Sequence, residues 1–272
     1  MSVKTLPDQI TDLLIALVFV GKLLPGDKLP PERQFAEYLG VDRTSLRMAL
    51  KTLTRMNVVN AVQGSGIRVL NYKVDCGLDF LTNLYQVEEL EFGGDLLLSG
   101  LDMLNRAIPL AIKMSVEKNG VGARESRGHI LEAIQKMHQS VEQGLDARQL
   151  AILDSQLVDN LLSSTDNIYM QLAAGSSRQI RIALAEKHYE LIDVKKHLDW
   201  LINIMMRVAS GILSIEDMLS EYSEYMNKTS EPLKEYLMAL PAQPVLKSSP
   251  LHNEKNIIDL DDIMKKISPI NG

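Results

Sequence analysis

A single cysteine, Cys76, stands among 272 residues. One thiol cannot close an internal disulfide, and no Cys/His spacing resembles a structural zinc site, so neither kind of staple is open to the fold. A reducing, cytoplasmic compartment fits that scarcity. Long apolar runs are also rare. The run Leu13 to Val20 is preceded by Asp8 and Asp12, is followed by no small-residue cleavage site, and falls short of the ~20 residues that a membrane-spanning helix needs. It reads as a buried helix of a soluble protein, with no membrane partner. No internal repeat stands out. No Ser/His/Asp, Cys/His or phosphate-loop constellation occurs either, so the expectation is a protein that is not an enzyme and carries no cofactor.

What is present is ordinary globular composition, 46% hydrophobic and 24% charged, in a chain long enough for two domains. The net charge of -6 hides a division. Through residue 72 there are nine basic residues against six acidic ones, a balance of +3 that leaves -9 for the remainder. Such a split is expected when one domain meets phosphate and the other does not.

Local signals in the basic part are dense. Ile10, Leu13, Leu14, Leu17 and Val18 recur at helical spacing after Pro7, and Gly21 with Pro25-Gly26 ends that helix. Pro30-Pro31-Glu32 starts a second, short helix with Phe35, Ala36 and Leu39 inward, stopping at Gly40. Asp42 is placed to cap a third, with Leu46, Ala49, Leu50 and Leu53 facing the core. Its other side carries Arg43, Arg47, Lys51 and Arg55, four residues apart, with Thr44 and Ser45 in the first turn. A basic stripe alone is as often a solvated face as a binding surface. Two short helices around a glycine turn, however, are the helix-turn-helix arrangement, whose second helix enters the major groove. The β-branched runs Val58–Val62 and Ile67–Leu70 flank Gln63-Gly64-Ser65-Gly66, a hairpin that reads as a wing.

The stretches GKLLPGDKLPPERQFAEYLGVDRTSLRMALKTL and VVNAVQGSGIRVL resemble the DNA-binding domain of the GntR family of bacterial regulators, over roughly residues 8 to 70. The resemblance implies DNA contacts from Arg33, Arg43, Thr44, Ser45, Arg47, Gln63 and Gly64. Glu32 and Asp42 are better suited to capping and orienting, since carboxylates repel phosphate.

From Asp75 onward helical apolar repeats dominate, as in Leu150, Leu153, Leu157, Leu161 and in Leu198, Leu201, Ile202, Met205. The expected fold is therefore mainly α: a winged helix-turn-helix over 1–72, an all-helical bundle of six to eight helices over 73–240, and a linker with a short amphipathic helix over 241–272. Gly93-Gly94, Asn119-Gly120, Gly144 and Asn227 to Pro232 mark the breaks in the bundle.

Asp154, the run Thr165-Asp166-Asn167-Ile168-Tyr169, the element Lys187-His188-Tyr189 and the ending Leu240-Pro241 make the helical part similar to the FadR subgroup of that family, in particular to its fatty-acid-responsive kind. Many members of the subgroup bind a divalent metal through an aspartate, a histidine one turn later and two further histidines. Here Asp154 matches the aspartate, but Val158 stands one turn on and Tyr222 near the last ligand, so the set is incomplete and no metal is expected. His188 and His197 then read as partly buried helix residues, and His129 and His138 as surface positions. The resemblance implies an effector site drawing on Arg106, Asp154, Asn167, His188 and Tyr225, for a fatty acyl-CoA or fatty acid, with a small carboxylate as the alternative. An arginine expected to meet CoA phosphates falls opposite Leu101, with Arg106 displaced. Met103, Met170, Met205 and Met206 are expected on inward faces, lining an apolar cavity, with Arg106, Lys113 or Arg181 holding an acidic head group. The expected function is a homodimeric regulator on a palindromic operator, a reading set against an enzyme and against a helical adaptor without DNA binding.

Overall fold

The backbone of the first ninety residues follows its local chemistry closely. α1 (Leu6–Phe19) carries Pro7 in its first turn, and the Thr5 backbone N–H donates to the Asp8 carboxylate at 3.1 Å. α2 (Glu32–Leu39) starts after Pro31 and stops where Gly40 turns left-handed, at φ 62°. α3 (Arg43–Arg55) is capped by Asp42, whose side chain accepts from the Ser45 N–H at 2.9 Å. Ile10, Leu13, Phe35, Leu39, Leu46 and Leu53 are fully buried among these three helices. β1 (Val59–Val62) and β2 (Gly66–Val69) pair antiparallel, with Val59 opposite Val69 and Val62 opposite Gly66. This is the winged helix-turn-helix that the sequence implied. Replacing Gly40 by alanine puts a Cβ on a left-handed residue, so an increase of about 1 kcal/mol in the ease of unfolding is expected in urea titrations.

The computed structural model describes residues 4–62, 64, 66–119, 124–253, 256–257 and 265–267. Within them the N-terminal unit runs past the expected boundary at residue 72. After α4 (Tyr72–Asp75) comes α5 (Leu78–Leu84), which packs on α1 through buried Phe80 and Leu84. Tyr72 lies between Phe19 and Phe80, with ring centroids 5.7 and 5.1 Å apart. β3 (Leu90–Glu91) closes this stretch.

Seven helices follow among the described residues, all in a second unit: α6 (Gly94–Asn119), α7 (Arg124–Glu142), α8 (Ala147–Ser164), α9 (Ile168–Leu191), α10 (Val194–Ala209), α11 (Ile215–Thr229) and α12 (Glu231–Met238). Each of α8 to α11 begins at a side-chain cap: Asp146, Asn167, Asp193 and Ser214. α8 and α9 pack along each other, and Ile134, Met137, Leu150, Ile182, Tyr189 and Leu198 form a core between α7, α8, α9 and α10.

The chain then returns to the first unit. β4 (Val245–Leu246) pairs antiparallel with β3, Leu90 opposite Leu246, and β5 (His252–Asn253) pairs with β6 (Asn256–Ile257). The two compact units are Met1–Gly93 with Gln243–Gly272, and Gly94–Ala242. Burial of Leu251 and Ile267 and the β3–β4 ladder draw the last segment into the first unit, where the sequence suggested a linker. Of the expected terminal helix, Ile257 lies in a strand, residues 265–267 are helical, and 258–264 fall outside the described residues.

Candidate nucleic-acid interface and ligand cavity

The first turn of α3 presents Arg43 and Thr44 to solvent, unobstructed, on the side away from Leu46 and Leu50. Lys51 and Arg55 continue the exposed basic face, and Met48 and Thr52 are exposed beside them. Ser45 has a prior engagement, since its hydroxyl donates to the Asp42 carboxylate at 2.6 Å in the cap. Only its lone pairs remain for a further contact, so its first role is structural. That bond and the Ser45 N–H hold the Asp42 carboxyl below the usual carboxylate range.

Arg47 is also engaged. Its Nε and Nη2 donate to one oxygen of Glu32 at 3.1 and 2.9 Å, tying α3 to the start of α2. Glu32 is thus the orienting carboxylate the sequence suggested, and it aims a guanidinium that remains two-thirds exposed. Arg33 projects from α2 beside Glu37 at 3.8 Å, and its side chain is 79% exposed.

At the wing, Gly64 is exposed with φ 76° and Gly66 takes φ 91°. A Cβ on Gly66 would stand 3.1 Å from Cε of Lys28, so the hairpin turns close against that lysine. Arg68 donates to the Gly26 carbonyl at 2.7 Å and pairs across to Lys28 through the backbone. Sequence reasoning passed over Lys28 and Arg68 because their meeting depends on a bridge between residues forty apart. Gln63, also expected to touch DNA, lies outside the described residues.

The helical unit contains a cavity of about 220 Å³ within its bundle. Most of its wall is aliphatic, from residues such as Ile108, Ile112, Leu157 and Leu201. Asp154, Arg181, His188, Tyr189, His197 and Tyr222 supply the polar part. Arg181, Leu184, Ala185, His188 and Tyr189 all lie on α9 at spacings of three, one, three and one, which is one face of that helix. The Tyr189 hydroxyl bonds the Asp154 carboxyl, yet burial still pushes Asp154 up to about 6. Burial drives His188 down to about 4 and, with the neighbouring His188, drives His197 down to about 3. His197 Nδ1 lies 3.2 Å from the Tyr225 hydroxyl, and the Tyr225 ring stacks on Trp200 at 3.7 Å. Both ring nitrogens of His188 lack any hydrogen-bond partner, although the residue is 93% buried by virtue of 7% exposure.

Arg181 is the cation in this wall. Its Nη2 meets Asp159 at 2.5 Å and the Ala174 carbonyl at 3.0 Å, and its Nη1 meets the Ser155 carbonyl at 3.2 Å. The pairing of Arg181 with Asp159 is invisible in sequence, where twenty-two residues separate them.

Of the residues expected to bind an effector, Asp154 and His188 line the cavity, and Tyr225 stands behind His197. Two others do not join them. Arg106 is 76% exposed and bound by the Asp102 carboxylate one turn earlier, at 3.0 Å. Asn167 is the cap of α9, its side chain accepting from the Met170 N–H at 3.1 Å. Lys113 likewise pairs on the surface with Glu117 at 3.8 Å. Met205 lines the cavity and Met170 packs against the core, but Met103 and Met206 are exposed, because their positions on α6 and α10 turn them outward. His138 is partly exposed and meets Asp199 at 2.9 Å, whereas the side chain of His129 lies outside the described residues. Among the described residues no group of three His, Cys, Asp or Glu side chains could hold a metal ion, and no helix is long and apolar enough to cross a membrane.

Residues 6–69 match the family described as bacterial regulatory proteins, gntR family. The HTH-type transcriptional regulator Mce2R of Mycobacterium tuberculosis (strain CDC 1551 / Oshkosh) is 32% identical over 117 residues, covering 43% of this chain and 48% of that protein. The mannosyl-D-glycerate transport/metabolism system repressor MngR of Escherichia coli (strain K12) is 35% identical over 83 residues, 30% of this chain and 35% of that protein. The chain thus spans about half the length of the curated relatives it matches, or less. The family and these relatives are transcriptional regulators, not enzymes. Among solved structures, the one described as "Lar controls the expression of the Listeria monocytogenes agr system and mediates virulence" aligns over 87% of this chain and 99% of its own, at 16% identity and a TM-score of 0.50, a likeness of fold.

Proposed function

Starting from a gntR-family DNA-binding domain at residues 6–69, we propose that the whole chain is a DNA-binding transcription regulator that acts as a homodimer on a two-fold symmetric operator and is controlled by a small molecule in the helical unit. The observation that carries the DNA reading is the exposed first turn of α3, where Arg43, Thr44 and the Glu32-oriented Arg47 stand on a rigid, capped helix end. Arginine at such a place reads guanine edges or phosphate, and one recognition helix covers only a few base pairs, which favours two copies per site. The effector reading draws on the cavity of the second unit, whose aliphatic wall suits the acyl kind of ligand that the FadR resemblance implies.

Genomic footprinting of the bound protein tests the proposal and gives the operator for solution work. On that operator, Arg47→Ala is expected to weaken binding roughly tenfold or more at fixed salt, and an unchanged affinity removes Arg47 from the interface. Light scattering of the complex is expected to give two chains per site. One chain per site would overturn the homodimer.

A further inference from the structure

We propose that the cavity of the helical unit takes an apolar molecule with a single uncharged hydroxyl head, an alcohol or phenol, in preference to a carboxylate. The inference rests on the effector reading above and departs from the acidic head group that the sequence suggested.

Three observations select the head group. His188 is buried in the wall with neither ring nitrogen partnered. Burial keeps it neutral, so it offers one N–H donor and one bare nitrogen acceptor, both costly to leave unmet. A hydroxyl can donate to a bare ring nitrogen or accept from the ring N–H, whichever faces the cavity, where a group that only accepts or only donates can meet just one of the two. Next, an anionic head would be desolvated in the same wall as the Asp154 carboxyl, which burial and the Tyr189 hydroxyl already hold there. The cation that could offset it, Arg181, is already ion-paired with Asp159 and donates to the carbonyls of Ser155 and Ala174, which leaves only its Nε–H without a partner. Finally, a cationic head would meet Arg181 in that wall, whose charge is felt at Asp154. The cation of the wall therefore has its counter-ion before a ligand arrives, and an uncharged head adds no further charge to be buried beside Asp154.

The test uses the full chain and a matched set of 1-octanol, octanoate and octylamine, with affinity read by calorimetry and operator release by fluorescence anisotropy. Octanol is expected to bind at least tenfold more tightly than either charged analogue. His188→Phe is expected to abolish that preference, while His188→Gln, which retains a donor and an acceptor, is expected to keep most of it. Octanoate or octylamine binding as well as octanol overturns the hydroxyl assignment while leaving the cavity as the effector site. Failure of all three to bind overturns it as well, and so does a preference for octanol that His188→Phe leaves intact. Operator affinity of the ligand-free protein, measured in the same titrations, tests the regulator reading separately.

Discussion

Acidification from pH 7 to 4 is expected to destabilise the helical unit by about 3 kcal/mol, through the groups that line its cavity. His188 and His197 have folded-state values of about 4 and about 3, well below the ordinary 6.5. Between pH 6.5 and those values the unfolded chain binds a proton at each that the folded chain refuses, so the stability present above 6.5 is lost as pH falls. Asp154 acts with the opposite sign. Its value is raised from 3.8 to about 6, so between those limits the folded chain binds the extra proton and gains stability on acidification. Two protons against one leave a net slope of roughly 1.4 kcal/mol per pH unit between about pH 6 and 4. The groups around the histidines are Asp154, Arg181, Tyr189, Tyr222 and Tyr225, and burial raises all three tyrosines further from this range. Urea titrations at pH 7, 5.5 and 4 check the slope. In His188→Gln/His197→Gln it should reverse sign, since Asp154 alone would then titrate; an unaltered slope would assign the pH dependence elsewhere.

Arg181→Ala is expected to cost about 3 kcal/mol, near the lower end of what breaking a buried ion pair costs. The guanidinium is 4% exposed as a side chain, and its loss takes a side-chain donor from two helical carbonyls and half of the ion pairing from Asp159. Asp159 keeps Arg178 at 2.8 Å, which is why the lower end applies. Arg181→Lys should recover little of the loss. An ammonium keeps the charge but cannot span a carboxylate and two carbonyls in the arginine's planar arrangement. Hydrogen exchange read by mass spectrometry locates the effect: protection should fall in α8 and α9 and hold in α1 to α3. Recovery to near the native level by lysine would reduce Arg181 to a point charge.

The winged helix-turn-helix was legible because its signals are short. Pro31, Gly40 and Asp42 each mark a helix end within one or two residues, and Phe35, Leu39, Leu46 and Leu53 mark the buried faces. The cavity was legible only in part. Asp154 and His188 could be picked out as chemistry on apolar helices, but their setting depends on α8 and α9 packing together, and the Arg181–Asp159 pair follows from that packing. Asn167 illustrates the reverse. A side-chain amide just ahead of a helical run is a cap by local rule, and the family likeness pulled it toward a ligand instead. The exposed Met103 and Met206 make a related point, since residue type says less about facing than position on the helix does. The β3–β4 ladder, which pairs Leu90 with Leu246 and Glu91 with Val245, offers no periodicity to read at all.

That ladder makes the helical bundle an insert rather than an appendage. The chain leaves the first unit after Gly93 and re-enters it at Gln243, and where it does so the Gly94 and Asp95 N–H groups donate to the Pro241 and Ala242 carbonyls at 2.9 and 3.4 Å. Anyone transplanting this bundle onto a foreign N-terminal unit therefore faces two splice points that must be matched as a pair. A single junction near residue 72 would carry Phe80 and Leu84 away from the helix they cover and would leave Leu90 without Leu246. Exchange of the whole segment 94–242 as a cassette is the cut that leaves the β3–β4 ladder and the α1–α5 packing intact.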